Sequence, residues 1–110
     1  MKSLLAILYV TATVYNAVPE QTNSDPSHTA TMFKLDPDHP EKHKIIAVSR
    51  DLEKHFPMGS TVCVENAGKM NGEWHVEDRM NKRFTNRIDF LVANNVKYGK
   101  WENVKVTLVK

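Results

Sequence analysis

The chain has 110 residues and a mass of 12.6 kDa, room for one compact domain and too little for a large cofactor-binding enzyme. Apolar residues make up 41% and charged residues 25%, which excludes disorder over the whole length. Fifteen Lys and Arg against thirteen Asp and Glu leave a net charge of +2, too small an excess to predict a nucleic-acid partner.

The run Leu4-Leu5-Ala6-Ile7-Leu8-Tyr9-Val10 follows Lys2, the charge order of a secretory signal. It is too short for a membrane span, which needs roughly 18 apolar residues, so no transmembrane segment is expected. No A-x-A-type cleavage site follows it. Residues 1–9 therefore read either as an apolar extension or signal remnant, or as the approach to a mature first strand. Val10 to Tyr15 is rich in β-branched residues and predicts that strand, opening a single domain over residues 10–110.

Pro19 to Pro26 is polar and turn-forming and predicts a long surface loop, and Asp36 to Pro40 predicts a second break. Ile45 to Val48 reads as a short buried strand. Ser49 is placed to cap a brief helix over Arg50 to Phe56, with Asp51 and Glu53 near its positive end. A turn at Phe56 to Gly59 leads to a strand over Ser60 to Glu65. Asn71-Gly72 is the strongest hairpin signal, feeding a strand over Glu73 to Asp78. Arg87 to Leu91 predicts another strand, Val92 to Tyr98 one or two helical turns stopped by Gly99, and Asn103 to Val109 the last strand. Six short strands with one or two small helices make the expected fold mainly β, a compact barrel rather than a sandwich.

Five histidines, His28, His39, His43, His55 and His75, raise the question of a metal. His39 and His43 are spaced to share a helix face, but Pro40 stands where the zincin pattern needs Glu, and no third ligand is evident. No metal or other cofactor is expected. Cys63, the only cysteine, excludes an intramolecular disulfide; between Val62 and Val64 it reads as a buried, inert thiol.

The aspartates are more informative. Asp78 ends one predicted strand and Asp89 lies inside the next, eleven residues on, joined by the polar loop Arg79 to Asn86. An aspartate between Ile88 and Phe90 is unexpected, because Asp is depleted in strands and costly to desolvate. Two explanations stand side by side. The carboxyl accepts hydrogen bonds from a loop backbone, or it carries a raised pKa beside another carboxylate and serves as a general acid.

Several segments occur in a recognisable order: Thr11-Ala12-Thr13-Val14-Tyr15-Asn16, Ile46-Ala47-Val48-Ser49-Arg50-Asp51, Pro57-Met58-Gly59-Ser60-Thr61-Val62, Val76-Glu77-Asp78, Arg87-Ile88-Asp89-Phe90 and Gly99 to Val106. Together they resemble the three-aspartate domain, the small double-psi β-barrel of membrane-bound lytic transglycosylase A and of stationary-phase survival proteins. The likeness covers nearly the whole chain, from about Val10 to Val109.

What the resemblance implies is non-hydrolytic cleavage of the β-1,4 bond between N-acetylmuramic acid and N-acetylglucosamine in peptidoglycan, by a monomer in the cell envelope or secreted. Asp89 matches the catalytic acid/base and Asp78 its partner aspartate. Thr13 and Tyr15 on the first strand, together with Asp51, would contact substrate. The first aspartate of the family triad falls where this chain has Ser49, so that position is taken by Ser49 or by Asp51. Glycines common after the second aspartate are replaced by Arg79-Met80-Asn81. The alternative is a non-catalytic glycan-binding barrel, as in expansin-like proteins, using Trp74, Trp101 or Tyr98 to stack on sugar; the plain reading of those aromatics is core packing.

Overall fold

A computed structural model describes residues 6–16, 39–93, 95–96 and 98–109. Six strands form in chain order: β1 (Ile7–Tyr15), β2 (Ile45–Val48), β3 (Thr61–Glu65), β4 (Gly72–Arg79), β5 (Arg87–Leu91) and β6 (Lys100–Leu108). They close into one barrel with the neighbour order β1-β5-β2-β4-β3-β6. Closure leaves no unpaired sheet edge, the usual liability of a small β-protein. The mainly β, six-stranded barrel expected from the sequence is thus the fold observed. Two of the six pairings, β1 with β5 and β2 with β4, are parallel.

Alternation decides which side chains fill the barrel. Val10, Ala12, Ile46, Val48, Val62, Val64, Val76, Ile88, Phe90, Val104 and Val106 are all buried in one cluster. At its centre the ring of Phe90 lies 4.7 Å from Trp74 and meets Trp101 edge-on at 5.7 Å. The Trp74 indole N–H donates to Met70 O at 2.7 Å, so its one polar atom is satisfied. Leu52 and Phe56 join the same cluster from the segment after β2.

β2 is buried along its whole length, which fits its uninterrupted apolar composition. Ile46 and Val48 face the interior, while Ile45 and Ala47 belong to a second, outer cluster with Tyr15, Met80, Leu91 and Phe84. Met80 and Phe84 come from the polar loop after β4, whose apolar members cover this part of the outer face.

Two irregularities re-aim side chains. In β6, Val104 pairs with Val10 while Trp101 pairs with Ala12, so β6 carries one extra residue where Asn103 takes a left-handed φ of 56°. Trp101 and Val104, three apart, can therefore both face the core. In β4, Val76 pairs with Ile46 but Asp78 pairs with Ala47, leaving Glu77 as the extra residue. Regular alternation would put Asp78, two residues after Val76, into the core; because Glu77 is accommodated as an extra residue, the carboxyl lies on the outer face instead.

Several local expectations need correction. β1 begins at Ile7 rather than Val10, because Ile7 to Val10 pair with β6, and β6 begins at Lys100 rather than Asn103. The helix expected over Arg50 to Phe56 is one 3-10 turn, Arg50–Leu52, followed by turns, and Ser49 makes no side-chain cap; its hydroxyl accepts from the Arg87 N–H instead. Asn71-Gly72 does not form a two-residue hairpin turn. β3 and β4 are joined through a 3-10 turn, Gly68–Met70, and the Asn71 side chain accepts from the Ala67 N–H. Among the described residues of Val92 to Tyr98 there is no helix, only a turn closed by Val96 N–H on Ala93 O. Cys63 is half-buried on the outer face of β3 rather than sealed in the core. The loop expected over Pro19 to Pro26, the break at Asp36 to Asp38 and His28 lie outside the described residues.

Gly99 is required by space rather than as a helix stop. A Cβ there would come within 2.9 Å of the Trp101 ring and 3.0 Å of Val14 Cγ1. Gly99→Ala is expected to lower the unfolding free energy by about 1–3 kcal/mol in urea titration, the usual cost of overfilling a packed site. An unchanged midpoint would show that the Trp101 ring yields freely.

Candidate functional site

The outer faces of four adjacent strands carry the polar cluster. Thr13 on β1 is in register with Asp89 on β5, Asp89 with Ala47 on β2, and Ala47 with Asp78 on β4. Thr13, Asp89, Ala47 and Asp78 thus form one row across the sheet. The two aspartates are separated by a single intervening strand, about 10 Å between Cα atoms at ordinary strand spacing. The residue between them is alanine, so only a methyl group stands between the two carboxyl-bearing positions.

Each carboxyl has a hydroxyl donor from β1. Thr13 Oγ1 donates to Asp89 Oδ1, and the Tyr15 hydroxyl donates to Asp78 Oδ2 at 3.1 Å. Asp78 Oδ1 also accepts the Arg79 N–H at 2.9 Å. Tyr15 sits in register with Leu91 on β5, so reaching Asp78 takes its ring across the outer face towards β4, within the cluster that contains Ala47.

Asp89 explains the anomaly in the sequence. Ile88 and Phe90 face the barrel interior, whereas Asp89 faces outward and is half-buried by its neighbours. Desolvation is the largest influence on it and pushes its carboxyl above the ordinary value of 3.8. The Thr13 hydrogen bond and the positive charge of Arg87 pull the other way, and the charge of Asp78 adds to the rise. The net result is a carboxyl that holds its proton to higher pH than a solvated aspartate. Tyr15 is pushed well above its usual range, first by burial and then by the charge and hydrogen bond of Asp78, so it remains a donor at neutral pH.

Of the predicted site residues, Thr13, Tyr15, Asp78 and Asp89 come together and Asp51 is used elsewhere. Asp51 is exposed, and its carboxylate accepts the Asn86 N–H at 3.0 Å. Desolvation raises its pKa, but hydrogen bonds from Ser49, Asn86 and its own amide outweigh that and leave it below the usual value. Ser49 is fully buried and binds the Arg87 N–H at 3.1 Å. Together Ser49 and Asp51 fasten the start of β5, which fixes where Asp89 falls. This support could be read only as an open choice between the two residues in the sequence.

Arg79 follows Asp78 directly and ends β4. Its guanidinium is gripped by Glu53 in two hydrogen bonds of 2.7 and 3.0 Å, which holds the Glu53 carboxyl below its usual range. Met80 is buried in the outer cluster and donates its N–H to Val48 O. The bulky residues after Asp78 therefore make one border of the site.

The aromatic residues considered for sugar stacking divide differently. Trp74 is 3% exposed and Trp101 half-buried, both committed to the barrel core, while Tyr98 is 81% exposed. His75 is exposed on β4 with Nδ1 3.2 Å from Thr61 Oγ1, and His39 lies 3.5 Å from Glu41. Among the described residues no group of three or more His, Cys, Asp or Glu is arranged to hold a metal ion, and no helix is long and apolar enough to cross a membrane.

Tyr15→Phe tests the second hydroxyl. Loss of the donor to Asp78 is expected to cost about 1.5–3 kcal/mol in urea denaturation, the range for a hydrogen bond to a charged acceptor. A variant as stable as the parent would mean that water replaces the phenol at no cost.

No family model, curated protein or solved structure matches the chain.

Proposed function

We propose that the chain is a lytic transglycosylase-like protein acting on peptidoglycan, with Asp89 as the single general acid/base. The observation that carries this reading is the outward, half-buried Asp89, its carboxyl raised by desolvation and bonded to Thr13, with Asp78 one strand away across Ala47.

The chemistry asks for one carboxyl in two protonation states. Protonated Asp89 gives its proton to the glycosidic oxygen as the bond to the muramic acid carbon breaks. The resulting carboxylate then takes the proton of that sugar's own C6 hydroxyl as its oxygen attacks the same carbon and closes a 1,6-anhydro ring. The proton count on Asp89 is restored, water is not consumed, and no second nucleophilic carboxylate is needed. Asp78 contributes negative charge that favours the protonated start and stabilises positive charge developing on the sugar ring. The order of sequence segments shared with the three-aspartate domain supports the same assignment, and the six-stranded barrel agrees with that likeness.

The test is incubation of the purified chain with intact peptidoglycan and mass spectrometry of the soluble products. Anhydro-muropeptides are the expected product. Their absence refutes the lytic reading, and reducing-end muropeptides in their place would mean ordinary hydrolysis.

A further inference from the structure

We infer that the outer face of β1 is a glycan track leading away from the carboxyl pair, with Tyr9 as a distal stacking platform; this rests on the reading of the site as glycan-acting. β1 presents Tyr9, Thr11, Thr13 and Tyr15 on one face, while Val10 and Ala12 fill the core between them. Tyr9 is 56% exposed near the start of the strand although its backbone is paired with β6.

The ground between Tyr9 and Asp89 is polar. Thr11 is in register with Arg87, and the Asn86 side chain donates to Tyr9 O at 3.2 Å. The Thr11 N–H in turn donates to Asn86 O at 3.2 Å, so the backbone of this stretch is fixed. The Thr11 hydroxyl therefore lies on the route, suited to sugar hydroxyl and acetamide oxygens, the Arg87 guanidinium beside it is stacked 5.0 Å over the Phe84 ring, and a flat ring stands at the end for the apolar face of a pyranose. Four residues of strand separate Tyr9 from Thr13, about 13 Å. That span exceeds one disaccharide repeat and falls short of two, so a short oligomer at the carboxyl pair would not reach Tyr9 and a longer one would.

Binding of the N-acetylglucosamine dimer and hexamer to the full chain, measured by calorimetry, tests the inference. The hexamer is expected to bind about tenfold more tightly than the dimer, and Tyr9→Ala to bring the two within about twofold, while Tyr9→Phe keeps the difference. Tyr9 is exposed, so the melting temperature of Tyr9→Ala serves as the check that the barrel is intact. An unchanged hexamer-to-dimer ratio in Tyr9→Ala overturns the track and leaves the chemistry of Asp89 standing. The expected loss without any anhydro product from peptidoglycan supports the track and removes the lytic reading. Failure of the parent chain to bind either oligomer overturns the track, while the lytic reading still stands or falls on the anhydro product alone.

Discussion

Asp89→Asn is expected to reduce formation of anhydro-muropeptides by about 10²–10⁴-fold, the usual contribution of a positioned general acid/base. Asparagine keeps the shape and can still accept from Thr13, but it has no proton to give and cannot become the base of the second step. Product that persists at the parent rate would remove Asp89 from the mechanism. The same substitution has a second, opposite signature. The folded-state pKa of Asp89 is raised above its ordinary value of 3.8, so the folded protein binds the proton more tightly than the unfolded chain does. The parent is therefore most stable below that ordinary value and loses stability as pH rises through the folded pKa. The asparagine side chain does not ionise and escapes that loss. Melting curves of Asp89→Asn should lie above the parent at neutral pH and converge with it as the pH falls towards 4, in the direction set by the linkage. A gap of the same size at all pH values would mean that the desolvation reading is wrong.

Phe90→Ala, one residue along on the opposite face, is expected to cost about 3–5 kcal/mol in unfolding free energy. Phe90 is fully buried and touches both tryptophans of the core, so truncation leaves a void that Trp74 and Trp101 are too constrained to fill. Trp74 is tied through its indole N–H to Met70 O, and Trp101 is confined against Gly99. Since small domains are stable by only about 5–15 kcal/mol, the variant should sit near the edge of unfolding at moderate temperature. Phe90→Leu, which keeps more of the volume, should lose clearly less. Equal stability of the parent and Phe90→Ala in urea would place the core elsewhere. Adjacent residues of one strand thus predict opposite outcomes: one change removes activity and spares the fold, the other weakens the fold.

The parts of this architecture legible in the sequence are those whose pattern runs undisturbed. Arg87-Ile88-Asp89-Phe90-Leu91 appears with its expected limits because it keeps the period of a strand, and Ile45-Ile46-Ala47-Val48 because it is a short unbroken apolar run bounded by polar residues. The extra residue of β6 was hidden for the converse reason. Glu102 and Asn103 break the alternation, so Lys100 and Trp101 read as a connection although they pair with Thr13 and Ala12. The extra residue of β4 left no trace at all: Val76, Asp78 and Met80 keep one parity while facing different environments. Asp89 drew notice as a misfit among apolar neighbours, but its partners could not be read from spacing. The Tyr15 bond to Asp78 depends on the barrel closing, and the use of Asp51 to fasten Asn86 depends on which loop lies beside β5.

The Thr13–Asp89 contact joins residues 76 apart in the chain, and Tyr15–Asp78 joins residues 63 apart, both across a barrel whose parallel pairings need long crossovers. Pairings of that separation form late, after most of the loop-closure entropy has been lost. On the proposed reading, the chain is inert until β5 has been made: no shorter fragment contains both the hydroxyl of Thr13 and the acid of Asp89.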